Sequence, residues 1–218
     1  MGDDVFRYSY AAEAIKSGWG GFNDGTRIHE AGGAIAEHAV GATLINFDCA
    51  DVVAENGLQG GYVCRYVAPA FRCRIKSNLK TAAGILAITL RDPLPVVIGV
   101  TEWIAAYPSI YSRILKAGGV SAAAGFMAVV CVPLIDVAAG RYFWGLTWGP
   151  FPGPCGIYGN LIGKTAGQRT VHFDGVGELV YRPGSEATDA HLQPAGYLLF
   201  DGRVLTYGDQ LVMLQLAP

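Results

Sequence analysis

From Tyr62 onward the chain is cut by Gly, Pro, Asn and Asp into short runs of β-branched and aromatic residues, a texture that admits strands and leaves little room for helices. Phe71 to Lys76 carries the clearest signal: Phe71, Cys73 and Ile75 alternate with Arg72, Arg74 and Lys76, as a strand with one wet face requires. Tyr62 to Val67 reads as the strand before it, and Ser77-Asn78 as the turn after it. Gly84 to Leu90 is an almost wholly apolar strand, stopped by Pro93 and Pro95. Gly125 to Leu134 and the aromatic Tyr142 to Trp148 continue the series, whereas Gly149 to Gly163 is so rich in Gly and Pro that it reads as a loop. Two hairpin units follow. Thr170 to Phe173 turns at Asp174-Gly175 into Gly177 to Tyr181; Tyr197 to Phe200 turns at Asp201-Gly202 into Arg203 to Tyr207, with Gln210 to Leu216 returning.

Residues 1 to 60 have a different texture. Tyr10 to Lys16 and Ile28 to Val40 are rich in Ala and Glu, and Gly18, Gly20, Gly21, Gly32 and Gly33 interrupt them, which predicts short helices and extended arm segments. Thr101 to Tyr107 predicts one more short helix, ended before Pro108. The expected fold is therefore mainly β: an antiparallel β-sandwich or single jelly roll with short helices and an N-terminal arm. The expected division is an arm over 1–60, the sandwich over 61–183 and a C-terminal hairpin extension over 184–218. No βαβ alternation points to a doubly wound nucleotide fold.

Charge narrows the function. Sixteen basic and eighteen acidic side chains make up 16% of 218 residues, while 51% are hydrophobic; soluble domains usually carry about 25% charge. Ala117 to Ile135 and Tyr142 to Gly163 hold no charge at all. A chain with this many apolar residues is expected to be covered by copies of itself, by a different partner or by lipid. A formal net charge of -2 excludes a strongly basic nucleic-acid binder. Arg72, Arg74, Lys76 and Lys80 form the one loose basic grouping, the candidate face for weak nucleic-acid contact. Ala117 to Ile135 approaches the length of a membrane span, but its many Ala and Gly, Pro133 and the lack of a basic flank favour buried strands and no membrane. The N-terminus has two acids where a signal peptide has bases. Five cysteines without a CxxC pair read as reduced thiols.

Candidate chemistry is sparse. Gly159 to Thr165 (GNLIGKT) has three residues between its glycines where a phosphate-binding loop needs four, and Pro150, Pro152 and Pro154 stand where the preceding strand belongs. His29-Glu30 and Glu37-His38 put their imidazoles on opposite sides of a helix, so no metal site is expected. Cys155, His172 and Asp174 could be written as a thiol triad, but Cys155 lacks a helix N-terminus to activate it. No enzyme activity and no cofactor are expected. The aromatic group Tyr142, Phe143, Trp144, Trp148, Phe151 and Tyr158 is the candidate interface; Trp144, Trp148 and Tyr158 would equally suit a carbohydrate-binding sandwich.

The order of strand, Ser-Asn turn, GILAITL, RDPLP and TEWIAAYP over Ala82 to Pro108 resembles the shell-domain jelly roll of coat proteins from small icosahedral positive-strand RNA viruses. Gly125 to Pro133 and Gly177 to Pro183 (GELVYRP) add weaker likeness. The resemblance implies a capsid protein of the virion, made in host cytoplasm, whose partners are copies of itself in a symmetric assembly, with other capsid proteins as a second class of partner. A cement or decoration protein on another capsid shares these features. No Asp pair for the calcium that the resemblance implies at a subunit boundary can be assigned, although Asp48 and Asp51 are candidates. The Arg-rich arm common in that family has no counterpart, since Met1 to Lys16 holds only Arg7 and Lys16; contact with a genome is accordingly expected to be weak or absent.

Overall fold

The computed structural model describes residues 4–24, 28–29, 33–65, 67–116, 127–153, 169–181, 193–200 and 210–217. Among them the chain is mainly β, as expected, in fifteen strands and no helix. Contacts divide it into two compact units: residues 26–112 form one, and residues 1–25 with 113–218 form the other. Sequence texture places boundaries at 60/61 and 183/184; the contact division falls at 25/26 and 112/113.

In the discontinuous unit, β1 (Val5–Ala11), β2 (Gly21–Asn23), β9 (Ile114–Leu115), β10 (Val129–Pro133) and β11 (Arg141–Gly153) pair in a ring, because β1 meets β9 on one side and β11 on the other. β2 and β9 pair antiparallel, and residues 26–112 are inserted in the sequence between them. An ion pair between Arg113 and Asp24 closes the base of that pair. β15 (Gln210–Gln215), β14 (Gln193–Phe200), β12 (Thr170–Phe173) and β13 (Leu179–Tyr181) extend the sheet beyond β11.

A ring of so few strands has room only for small side chains. Ser9, Ala11, Gly21, Cys131 and Gly145 are buried. A Cβ on Gly145 would lie 2.7 Å from the Cys131 Cβ, and one on Gly21 would lie 2.6 Å from Ile114. A larger core beside the ring is built from Phe22, Leu146, Phe151, Phe173, Val212 and Leu214 with their neighbours.

Burial drives the Cys131 thiol up to about 12, against a weaker opposing contact with the Ser9 hydroxyl. The unfolded chain ionises this thiol near its ordinary value of 9.0, whereas the folded chain does not. Above pH 9 the unfolded state therefore holds fewer protons, and stability falls with rising pH by about 1.4 kcal/mol per unit until the folded value is reached. Denaturation midpoints at pH 8 and pH 10, with and without Cys131→Ala, isolate this contribution; an identical pH slope in both proteins would refute it.

Residues 26–112 hold β3 (Ile28–His29), β4 (Leu44–Asp48), β5 (Tyr62–Arg65), β6 (Phe71–Asn78), β7 (Ile85–Leu90) and β8 (Ala105–Tyr107), in the order β3-β8-β5-β6-β7-β4. Ala34 bridges to Phe47 of β4 and exchanges hydrogen bonds with Thr101 and Glu102, so residues 33–38 lie between β4 and the lead-in to β8. Phe47, Leu58, Leu86, Ile88, Leu94 and Ile98 fill the core. Arg65, almost fully buried, donates to the Val97 carbonyl at 3.0 Å and to Glu102 at 3.1 Å, tying that lead-in to β5.

Several expectations need correction. The helix read over Thr101 to Tyr107 is a turn followed by β8; Thr101 has φ 67, which cannot begin a right-handed helix. Tyr10 to Lys16 contains the end of β1 and an Ile15–Val137 bridge, and the described part of Ile28 to Val40 contains β3 and two bridges, none of it helical. Instead of an arm, Val5–Ala11 is a strand paired with β11 along its whole length, since Phe6, Tyr8 and Tyr10 alternate against Ser9 and Ala11. Ser77 and Asn78 belong to β6, where a bulge between Ile75 and Ser77 mimics turn chemistry. Gly149–Gly153 belongs to β11. Pro150 and Pro152 share one parity, so Gly149, Phe151 and Gly153 keep the N–H groups that a ladder to β15 can use.

Candidate functional site

Chemistry concentrates nowhere among the described residues. Asp174 uses its Oδ1 to cap its own hairpin, accepting from the amides of Val176 at 3.0 Å and Glu178 at 2.8 Å. Cys155, Tyr158 and Gly159 to Thr165 lie outside the described residues. The His38 ring is buried against the backbone of Asn46, bonded through Nε2 at 3.2 Å, while Glu37 is exposed; Glu30 and the His29 side chain lie outside the described residues. Asp48 and Asp51 are exposed, and no cluster of three or more metal-ligating side chains occurs among the described residues. A recess of about 60 Å³ lined by Ile15, Lys16, Trp19, Gly20 and Lys116 is far smaller than the ~300 Å³ at which small-molecule sites begin. No helix among the described residues is long and apolar enough to cross a membrane. The four described cysteines, Cys49, Cys64, Cys73 and Cys131, are thiols rather than disulfides.

What stands out is an aromatic ledge on the outer face of β1 and β11. Tyr8 lies opposite Trp144 and Tyr10 opposite Tyr142, because the two antiparallel strands carry their rings in matching register. Ser9 and Phe143, one residue away, point inward and are buried. Tyr8, Tyr142 and Trp144 are 57%, 64% and 63% exposed. The Tyr8 and Tyr142 rings stack with centroids 5.2 Å apart and planes 2° from parallel, and Trp144 and Tyr10 lean against them at tilts of 56°. Such cross-strand aromatic contacts fix the rings before any partner arrives, at roughly 0.5–1.5 kcal/mol per pair.

The expected interface set thus divides. Tyr142 and Trp144 are at the surface, and Trp148 is half-buried. Phe143 and Phe151 are core residues, because their parity on β11 turns them inward. Tyr8 and Tyr10 join the set only in the structure. The alternation of Phe6, Tyr8 and Tyr10 signals them in the sequence, but the Ala-rich stretch after Tyr10 obscures it. Of the basic group, Arg72, Arg74 and Lys76 are exposed on one face of β6, and Lys80 follows beyond the end of that strand.

No protein-family model, no curated protein and no solved structure matches this chain.

Proposed function

We propose that this chain is a structural subunit that assembles with copies of itself, a coat or shell protein of the kind its sequence resembles. The carrying observation is the ledge: three large aromatic side chains, each more than half exposed, are held side by side on a paired sheet face. Together they present on the order of 300 Å² of ring surface, as large as the biggest apolar patch of an ordinary monomer. A stable interface covers about 800 Å² per partner, so the ledge acts as a central anchor with neighbouring surface completing the contact. Low charge favours like copies, since identical surfaces with few charges repel little. Of the finer fold expectation, the antiparallel sandwich is the part this reading keeps; one jelly roll running from 61 to 183 would have to cross the division at 112/113.

The test is the size distribution of the purified chain by sedimentation and electron microscopy. The expected result is discrete oligomers or particles, lost in Tyr142→Ser/Trp144→Ser while the circular dichroism spectrum stays unchanged and the chain still unfolds cooperatively, at a melting temperature a few degrees lower for the lost ring contacts. A native chain that remains monomeric at its highest soluble concentration overturns the proposal.

Carbohydrate binding is the second reading, favoured by the row of exposed rings. The stacking of Tyr8 on Tyr142 turns ring faces toward each other, however, and leaves fewer faces free for a sugar. A monomeric chain retained on an immobilised glycan, and released by Trp144→Ala, would make this the better account.

A further inference from the structure

We infer that the wet face of β5, β6 and β8 is a binding site for single-stranded nucleic acid, with Tyr62 as its stacking platform and Arg72, Arg74 and Lys76 as its phosphate contacts. Cross-strand register builds a continuous row, in which Tyr62 lies opposite Tyr107 on one side and opposite Arg74 on the other. Arg72 stands opposite Cys64, with its guanidinium 4.9 Å from the centre of the Tyr62 ring; that of Arg74 is 6.0 Å from it. Both tyrosines are half-buried and the three cations are exposed.

Three features make this a site for a single strand rather than a solvated face. None of the three cations is paired with a carboxylate among the described residues, whereas Arg65 and Arg113 are. Residues two apart on a strand stand about 7 Å apart, close to the spacing of successive phosphates on an extended single strand, so Arg72 and Arg74 can follow a backbone along β6, with Lys76 at the bulge continuing the row. The Arg72 guanidinium lies over the Tyr62 ring, so a base can stack on that guanidinium with the ring behind it, and a duplex keeps its bases out of reach of such a platform. Adjacent β7 contributes the uncharged Ile85, Ala87 and Thr89 to the same face. Asp92 is the one acid whose field reaches this part of β6, since it helps raise the Cys73 thiol between Arg72 and Arg74, and it stands beyond the end of β7; Asp48 lies on the edge strand β4.

The inference is independent of assembly, because none of its residues belongs to the aromatic ledge. The test is fluorescence anisotropy of a short uracil-only RNA and a thymine-only DNA with the full-length chain, repeated with Tyr142→Ser/Trp144→Ser so that assembly and binding fail separately. Both strands are expected to bind at low salt. With three phosphates engaged, the logarithm of the binding constant should fall with the logarithm of salt at a slope of about -2. Arg72→Ala/Arg74→Ala should weaken binding at least tenfold. Tyr62→Leu, which preserves most of the packing, should weaken it about tenfold through lost stacking. Bound strand should also protect Cys64, which shares the face, from alkylation. Absence of binding at low salt overturns the inference. So does a Tyr62→Leu protein of native affinity whose bound strand heparin displaces as readily as from the native chain, since the face would then hold any polyanion by charge alone.

Discussion

Replacing Asn78 with alanine is expected to destabilise the 26–112 unit by about 3–5 kcal/mol, a large part of the stability of a unit this size. The side chain is 2% exposed and fully committed. Its oxygen accepts from the Leu58 amide at 2.9 Å, and its nitrogen donates to the carbonyls of Ala54 at 2.8 Å and Leu79 at 2.9 Å. Its backbone carbonyl accepts from Asn56 at 3.0 Å. Asn78 therefore pins the 54–58 turn, and through it Leu58, which is fully buried in the core. Alanine leaves three backbone groups without the partner they had, each costing about 1–3 kcal/mol where water cannot replace it. Asn78→Asp keeps the acceptor but turns a charge toward two carbonyl oxygens, so it should be as damaging at neutral pH and recover in part once the carboxyl is protonated in acid. Asn78→Leu conserves volume and separates packing from hydrogen bonding; urea denaturation that finds it within about 1 kcal/mol of the native chain would sink the account.

The same residue marks the limit of what the sequence reveals. The alternation of Phe71 to Lys76 gives the strand and its wet side correctly, because period two is enforced by the pleat. Continued to residue 78, that pattern would put Asn78 outside with Arg72, Arg74 and Lys76. The bulge between Ile75 and Ser77 reverses the parity and turns Asn78 into the core. Nothing local announces a bulge, so a polar pair there reads as a turn. Gly84 to Leu90 and the Asp174-Gly175 hairpin are legible for the opposite reason: an apolar run and a turn with its own side-chain cap are local signals. The ledge is half legible. Tyr142 and Trp144 are visible as aromatics, but which residues of β11 face outward depends on pairing with a strand more than a hundred residues away, and that strand ends where Ala and Glu argue for a helix. The pairing of β2 with β9 is non-local in the same way, and it moves the boundary between the units away from every change in sequence texture.

Gly196→Ala is expected to cost the discontinuous unit about 3–5 kcal/mol, although it adds one methyl group. Gly196 has φ 145, in the region that glycine alone occupies readily, and a Cβ there would overlap the carbonyl oxygen of Met213 on the neighbouring strand. The position is set by the register shift between Val171 and His172, where β14 takes up an extra residue and Ala195 is turned fully into the core. The backbones of β14 and β15 approach closely at that point, so the added carbon cannot be relieved by a side-chain rotation; a strand must move. Gly84 supplies the control, because it has φ 76 but nothing within 4 Å of the place a Cβ would take, and Gly84→Ala should cost only about 1 kcal/mol of backbone strain. Chemical denaturation of the two variants separates the contributions: equal losses would mean that the overlap with Met213 is absorbed. The outcome also bears on assembly. β15 pairs with the second half of β11, the strand that carries Tyr142 and Trp144 in its first half, so Gly196→Ala should dissolve oligomers by loosening the ledge's support without altering any of its rings.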